Sequence, residues 1–468
     1  MSDTLSKIEH MFGTDGQLID AMGDAARAES GAIARRLAAV GELYARRALE
    51  WKDRQLWCAD PFEAVAAEVS AAQNISRGRA ATQIRYAREL RERLPKIAAL
   101  FSEGAIDFRM VSTIINRTSN VEDCVIADVD AAVAHLAAAW MKLSGPKLAD
   151  RIDALIAGFD PNGVRVPPEV DANRYVEVGP TTPGMGGIWA NVHAADAAAF
   201  DARLDALAAT VCASDPRTGM QRRSDAVGAL AAGADKLMCA CGSPECPVLG
   251  AGGAAPVVIH VLAEQGTVDG TGRSPGYLPG FGIQPAQAVR EMESTAKLKP
   301  LARPGDDPEA GYRPSAALAE CIRWRDLNCR WPGCDATVCD IDHTVPYPNG
   351  PTHPSNCKLY CRTHHLLKTF YCGPGGWTEQ QSPDGTVTLI APTGHRYTTT
   401  PAGGDLFPGL SAPSGGLDPP SGTGPCEDNR GLAMPTRQQS RDEDRRDRIE
   451  RERGLRASIN APPGRAQS

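Results

Sequence analysis

Four soft ligands set in two close pairs constrain this chain more than any other feature. Cys329 and Cys334 bracket Arg-Trp-Pro-Gly, and Cys361 stands three residues before His364. Each pair is short enough to grip one ion from a single knuckle. Together they supply the four nitrogen and sulfur ligands of a closed tetrahedral zinc site. Such a segment folds around its metal, so a small module with a structural Zn2+ is expected here. Asp342, His343 and His365 lie outside the two pairs but inside the same stretch. A carboxylate with imidazoles suits a harder divalent ion that keeps open positions for chemistry. Cys321, Cys339 and Cys357 also fall nearby and are read as core thiols.

Asp342-His343, Asn356 and His365, in that order, resemble the HNH family with its ββα-metal fold. In that family the first His follows a metal-binding residue on a strand, Asn sits in the intervening loop, and the last His opens a helix. The resemblance implies that His343 is the general base that takes a proton from the attacking water. It makes Asp342 and His365 ligands of a catalytic ion, Mg2+ or another divalent metal, and Asn356 the residue that hydrogen-bonds across the ββ loop. Some family members carry a further His one turn on, where this chain has Thr369. Lys368, its neighbour, is a candidate phosphate contact. The implied activity is hydrolysis of DNA phosphodiester bonds.

The resemblance extends beyond the metal segment. Ile75-Ser-Arg-Gly-Arg-Ala-Ala, Gly104-Ala-Ile-Asp-Phe108, 222–233, Tyr312-Arg-Pro-Ser-Ala-Ala317 and Pro392-Thr-Gly-His-Arg-Tyr397 are similar to the actinobacterial thirteen-E-twelve repeat family. That family joins an N-terminal domain of unknown function to a C-terminal HNH module, and the similarity covers residues 15 to 400.

The chain has 468 residues, enough for two or three domains. Its 14 cysteines would suggest disulfides in a secreted protein, but residues 1–13 have no apolar run of the signal-peptide kind. No stretch is apolar enough to cross a membrane. Reduced thiols and a cytoplasmic location are therefore expected, with no membrane partner and no small-molecule cofactor. The net charge of −7 excludes a chain coated in basic surface, so contact with DNA must come from local patches.

Residues 76–96 form such a patch. Arg77, Arg79, Arg85, Arg88, Arg91, Arg93 and Lys96 face only Glu89 and Glu92, while Ala80, Ile84, Ala87 and Leu94 recur at helical spacing. Residues 61–73 read as a preceding helix with Pro61 near its first turn, and 74–76 as turn and cap. Two readings stand side by side. In one, this is a helix-turn-helix-like element whose Arg77, Arg85 and Arg88 contact phosphates. In the other, it is a solvated charged helix of a bundle.

Helices are further expected at 17–51, with an apolar stripe through Ile33, Leu37, Val40 and Tyr44, and at 108–115 and 128–143. The texture then changes. Residues 174–178 and 187–193 alternate as a strand pair, 195–212 and 222–237 return to helix, and 257–262 is a buried-strand run. Cys239, Cys241 and Cys246 form a second cysteine cluster with no fourth ligand close in sequence; a second zinc there needs a distant partner or a labile site, and the cluster is read as a reduced loop. Residues 401–436, rich in Pro, Gly and Ser, are expected to be disordered. The Arg/Asp/Glu mixture at 437–453 can form a solvated helix through i to i+4 pairs but has only Ile449 for packing, and is read as a floppy charged tail.

The expected fold is a mostly α N-terminal region (15–160) with a small α+β portion continuing it (161–300). A zinc-stabilised ββα-metal module with a trailing β-hairpin (312–400) and a disordered tail (401–468) follow. Two functions are open: a metal-dependent DNA endonuclease, and a DNA-binding or mobile-element-associated protein whose HNH module is weak or inactive.

Overall fold

Thr14 starts the first helix. Its hydroxyl accepts from the Gln17 backbone and the Gln17 side chain accepts from the Thr14 backbone, which satisfies two amides that a helix start leaves open. The computed structural model describes residues 14–165, 174–192, 194–246, 260–279, 281–293, 297–302, 304–373, 375–415 and 433–461. The chain is mostly helical, with small antiparallel sheets, and divides into two compact units. One comprises residues 1–167 and 300–468, the other residues 168–299.

Seven helices open the first unit: α1 (Asp15–Glu50), α2 (Pro61–Gln73), α3 (Arg77–Glu92), α4 (Pro95–Ser102), α5 (Phe108–Arg117), α6 (Ile126–Trp140) and α7 (Gly145–Phe159). Asp60, Ser76 and Asp107 cap α2, α3 and α5 through their side-chain oxygens. Between α2 and α3 the chain turns at Asn74, which takes the left-handed conformation at φ 50°. Leu37, Ile84, Phe101, Ile114, Val133 and Ile152 meet in one apolar core. Helices α4 and α7 had no counterpart in the sequence reading.

α2 is buried on two sides. Val65, Ala66 and Val69 belong to the bundle core, whereas Ala64, Ala67 and Ala71 share a second core with Trp51 and the C-terminal metal segment. Its small alanine face lets the Cys329–Cys334 loop come close. Gly333 sits there at φ +77°, and a Cβ on it would lie 2.5 Å from the Ile75 carbonyl oxygen. Only glycine tolerates both conditions.

The second unit holds the hairpin β1 (Tyr175–Pro180) and β2 (Gly186–Asn191), the helix pair α8 (Ala194–Ala208) and α9 (Gly219–Ala231), the one-turn α10 (Gln265–Val268), the short hairpin β3 (Gly276–Leu278) and β4 (Gly282–Gln284), and α11 (Ala286–Glu293). It forms a compact unit of its own. α9 stops short of the expected Leu237 because Gly233 turns left-handed at φ +66°, and the Ala234 amide closes back onto the Ala229 carbonyl. Of the strand expected at 257–262, residues 257–259 lie outside the described residues, and Leu262 makes an isolated bridge to Tyr277.

The rest of the first unit begins with α12 (Ala316–Asp326) and the antiparallel hairpin β5 (Asp340–His343) and β6 (Cys357–Tyr360), followed by α13 (Arg362–Phe370). Asp326 accepts the Leu359 amide at 2.9 Å, and Arg325 donates to the carbonyls of Pro354 and Cys357 at 2.7 Å each, which fastens α12 to β6. The trailing element is a three-stranded meander, β7 (Thr378–Gln381), β8 (Val387–Ile390) and β9 (Arg396–Thr399), where only a hairpin was expected.

The tail departs from expectation. α14 (Ala402–Leu406) follows the meander, Met434 is buried in the second core, and the Pro435 carbonyl accepts the Cys58 amide at 2.9 Å. Residues 416–432 lie outside the described residues. α15 (Arg441–Asn460) buries no residue, yet its arginines reach carboxylates on the bundle: Arg441 to Asp60 and Glu63, Arg445 to Glu89, and Arg453 to Asp160 at 2.7 Å. Long-range ion pairs thus order a segment that has too little apolar surface to order itself.

Candidate metal centre

The Cys329–Cys334 loop precedes β5, and Cys361 and His364 stand at the start of α13, so the fold brings the two ligand pairs face to face. The sulfurs of Cys329, Cys334 and Cys361 and one ring nitrogen of His364 all lie within 4.8 Å of one another. His364 Nδ1 is 3.4 Å from the Cys329 sulfur and 3.3 Å from that of Cys361. Zinc–sulfur bonds of about 2.3 Å in a tetrahedron set sulfurs roughly 3.8 Å apart, so the cluster fits that ion with little movement. The imidazole of His364 stacks on Trp331 at 4.7 Å and 3°. Trp331 itself is buried against Trp377 and Tyr360. Hydrogen bonds from the neighbouring thiols, with His364, hold Cys361 far below the usual thiol range, which leaves a thiolate where a metal ligand is needed. Cys339 is half-buried beside the cluster and donates to the Ala336 carbonyl, while Cys357 is buried in a separate small core with Leu318 and Ile322.

The hairpin and α13 assemble the second constellation. In the register of the hairpin Asp342 pairs with Lys358 and His343 with Cys357. One oxygen of Asp342, Oδ1, lies 3.3 Å from His365 Nε2. The other nitrogen of that ring, Nδ1, is 3.3 Å from Asp340 Oδ2 and donates to it. With Nδ1 so engaged, His365 Nε2 and Asp342 Oδ1 are left as two neighbouring donor atoms. Ligand bonds of about 2.1 Å at a right angle would space two donors roughly 3 Å apart, so Asp342 and His365 fit one octahedral ion.

His343 is buried on the same edge. Its Nε2 is 2.9 Å from Thr352 Oγ1, which itself donates to the Gly311 carbonyl at 2.7 Å. Thr352 has one proton, already committed, so it must accept from His343 Nε2–H, and the lone pair of the neutral ring then resides on Nδ1. Tyr312 stacks on the ring at 5.3 Å and 20°. Burial pushes the His343 pKa below its ordinary 6.5, and the charge of Asp342 opposes that only in part. Asn356 spans the loop between the strands: its Oδ1 accepts the Val345 amide at 2.9 Å and its Nδ2 donates to the carbonyls of Val345 and Pro351.

Behind Asp342 lies a buried charge network that the sequence did not reveal. Lys368 Nζ is 2.6 Å and Lys358 Nζ 3.1 Å from Asp342 Oδ2, and Glu379 Oε1 lies 3.2 Å and 2.8 Å from the same two lysines. Burial alone would raise the Asp342 pKa. The charges of Lys368, Lys358 and His365 outweigh it and hold the group at about 2. Lys368 is therefore a buried partner of Asp342 that also donates to the His343 carbonyl, and it lines the same cavity as Asp342, His343 and His365. Lys358 and Glu379 could not be found by motif, because Glu379 arrives on another sheet.

The basic helix is corrected in part. Arg77 forks onto Glu63 and Arg88 lies over the Tyr44 ring while reaching Asp442 at 3.1 Å, so both are tied to internal partners. Arg85 is exposed. Beside the metal residues is a cavity of about 470 Å³ whose walls include Tyr312, Asp342, His343, His365 and Arg362, with Ala433 and Pro435 of the tail at its rim. Arg362, 66% exposed and 3.8 Å from Asp340, presents a cation at the same wall. Among the described residues no helix is long and apolar enough to cross a membrane.

Comparison with known proteins places the chain in a family. "Uncharacterized protein MT2160" of Mycobacterium tuberculosis (strain CDC 1551 / Oshkosh) is 41% identical over 99% of this chain and 94% of its own length. "Uncharacterized protein Rv3776" of Mycobacterium tuberculosis (strain ATCC 25618 / H37Rv) is 42% identical over 97% of this chain and 93% of its own. A third relative, "Uncharacterized protein in est 3'region" of Mycobacterium tuberculosis, is 40% identical over 67% of this chain and 97% of its own. No solved structure matches. The family described as domain of unknown function DUF222 matches residues 24–326, from the first helix to the end of α12, and the chain belongs to that family.

Proposed function

We propose that this protein is a metal-dependent DNA endonuclease whose residues 312–400 act as an HNH module, in a chain akin to the thirteen-E-twelve repeat proteins. One observation carries the reading: Asp342 Oδ1 and His365 Nε2 converge at 3.3 Å beside a buried His343, at the wall of an open cavity. Zn2+ on Cys329, Cys334, Cys361 and His364 would hold the loop and α13 together as scaffold. A divalent ion such as Mg2+ on Asp342 and His365 would supply charge neutralisation at the scissile phosphate.

This chain's own residues do the rest. His343, neutral and with Nδ1 free, takes the proton of the attacking water. Thr352 and Tyr312 fix its ring, and Asn356 fixes the loop after it. Asp340 fixes the His365 ring through Nδ1, the role carboxylates play behind metal-bound histidines, and leaves Nε2 as the atom that would hold the ion. Arg362 meets the DNA backbone at the cavity mouth.

Purified protein incubated with supercoiled plasmid and Mg2+, Mn2+ or Ni2+ is expected to nick it, and chelation of the divalent ion to stop the reaction. Nicking that persists undiminished in His343→Ala, free of contaminating nuclease, would refute the assignment. A second reading, a DNA-binding protein with a weak or inactive module, is favoured by Thr369. Its hydroxyl donates to the His365 carbonyl at 2.8 Å, so Asp342 and His365 alone would hold the ion. Absence of cleavage with all three metals, together with retained DNA binding, would select it.

A further inference from the structure

Cys239, Cys241 and Cys246 lack a fourth ligand nearby in sequence, but the second unit supplies one. Cys212, in the loop after α8, brings its sulfur to 3.4 Å from that of Cys239, and the sulfurs of Cys212, Cys239, Cys241 and Cys246 all lie within 4.8 Å of one another. We propose that these four cysteines form a second structural zinc site, a tetrathiolate that closes the open end of the α8–α9 pair.

Hydrogen bonds between the two loops position the thiols. Leu237 N donates to Thr210 Oγ1 at 2.9 Å, Ala240 N to Asp215 Oδ2 at 2.8 Å, and Arg217 to the Met238 carbonyl at 2.6 Å. Arg217 also pairs with Asp215 at 2.8 Å. These bonds zip the loop after α8 to the segment after α9, so Cys212 faces Cys239 and Cys241 on either side of the anchored Ala240. The Cys246 amide donates to the Ser243 carbonyl at 3.1 Å, which turns the chain back and buries Cys246 at the same point.

The need for such a staple follows from the size of the core. α8 and α9 meet over Leu204, Leu207 and Ala226, with Val227 and Leu230 only partly covered. So few apolar groups offset little of the entropy of ordering two helices and a long loop, and small units in this position rely on metals or crosslinks. Four thiolates in a tetrahedron match the closed sites that zinc occupies for structure. The site takes no part in the proposed cleavage chemistry, so its test does not depend on that reading.

The full-length protein, purified without added chelator, is expected to carry two zinc ions per chain by elemental analysis, and Cys212→Ser to carry one. Retention of both ions in Cys212→Ser overturns the proposal. A second measurement uses the unaltered protein, in case the variant misfolds. In the zinc-loaded chain, alkylation followed by mass mapping is expected to spare Cys212, Cys239, Cys241 and Cys246 while exposed Cys124 reacts at once. Stripping zinc should then expose all four. Labelling of Cys212 and Cys241 as fast as Cys124 in the loaded protein, or a Cys212–Cys239 disulfide in the freshly purified chain, also overturns it.

Discussion

The seven-helix bundle and the C-terminal metal module sit in the same unit but are held together by different forces. The bundle buries Leu37, Ile84, Phe101, Ile114, Val133 and Ile152 in one apolar core, and its buried glutamates, Glu63, Glu68 and Glu89, each meet an arginine at its edge. Around the hairpin of the module, the buried set includes three thiols, His364, Trp331, Arg325, Asp326, Lys358 and Lys368. Burying charges costs more than burying methyl groups, and it is sustainable only when each has a partner. A bundle of this kind stabilises gradually with area, whereas the module depends on a few specific ligands. α2 joins the two, with Val65 and Val69 on one side and Ala64, Ala67 and Ala71 on the other.

The largest test of that contrast is Cys361→Ser. Loss of zinc is expected to cost the module on the order of 10 kcal/mol and unfold it. Hydrogen exchange should report lost protection in β5, β6 and α13, reaching the alanine face of α2, while α5 to α7 stay protected. A zinc-free variant with a protected hairpin would show that the charge network suffices alone.

His343→Ala is expected to lower plasmid cleavage by about 10²- to 10⁴-fold, with zinc content and melting close to those of the parent. The pH profile sharpens the same point. Because burial lowers the His343 pKa from 6.5, the ring stays neutral as pH falls through 6.5, so the acid limb of the cleavage profile should lie below that value. A limb above 6.5 would mean that His343 is not the group being titrated.

In the bundle, Phe101→Ala should cost about 3–5 kcal/mol, the range for deleting a buried aromatic ring. Chemical denaturation would measure it, and zinc content should not change. Coupled zinc loss would mean that the two cores are one cooperative unit through α2.

The smallest expected effect is at Arg85. Replacing it with Ala should leave stability within about 0.5 kcal/mol and reduce the salt dependence of DNA binding by about one counterion. Arg77→Ala, by contrast, should act on stability, since it removes one of the two arginines on buried Glu63. An unchanged salt slope in Arg85→Ala would assign the basic face to packing alone.

How much was legible depended on distance along the chain. Cys329 with Cys334, and Cys361 with His364, were readable because each pair spans a single turn of chain. α2 and α3 were readable because capping residues and apolar spacing are local. Thr352 and Asp340 were missed although they stand near the motif, because neither spacing nor residue type distinguishes a Thr that fixes a tautomer from any loop Thr. α4 and α7 were missed as well, although each starts with Pro in its first turn, the same signal that located α2.

The sequence by itself determined the ligand pairs, the helical character of the first third and the capped turn between α2 and α3, since these rest on neighbours within a few residues. The tertiary structure alone decided that Cys212 joins a cluster 27 residues downstream, that Glu379 faces Lys358 and Lys368, and that α15 is ordered by arginines reaching Asp60, Glu89 and Asp160. Those contacts join groups whose partners are fixed only once distant segments have docked, and a charged or thiol side chain carries no local mark of the partner it will find.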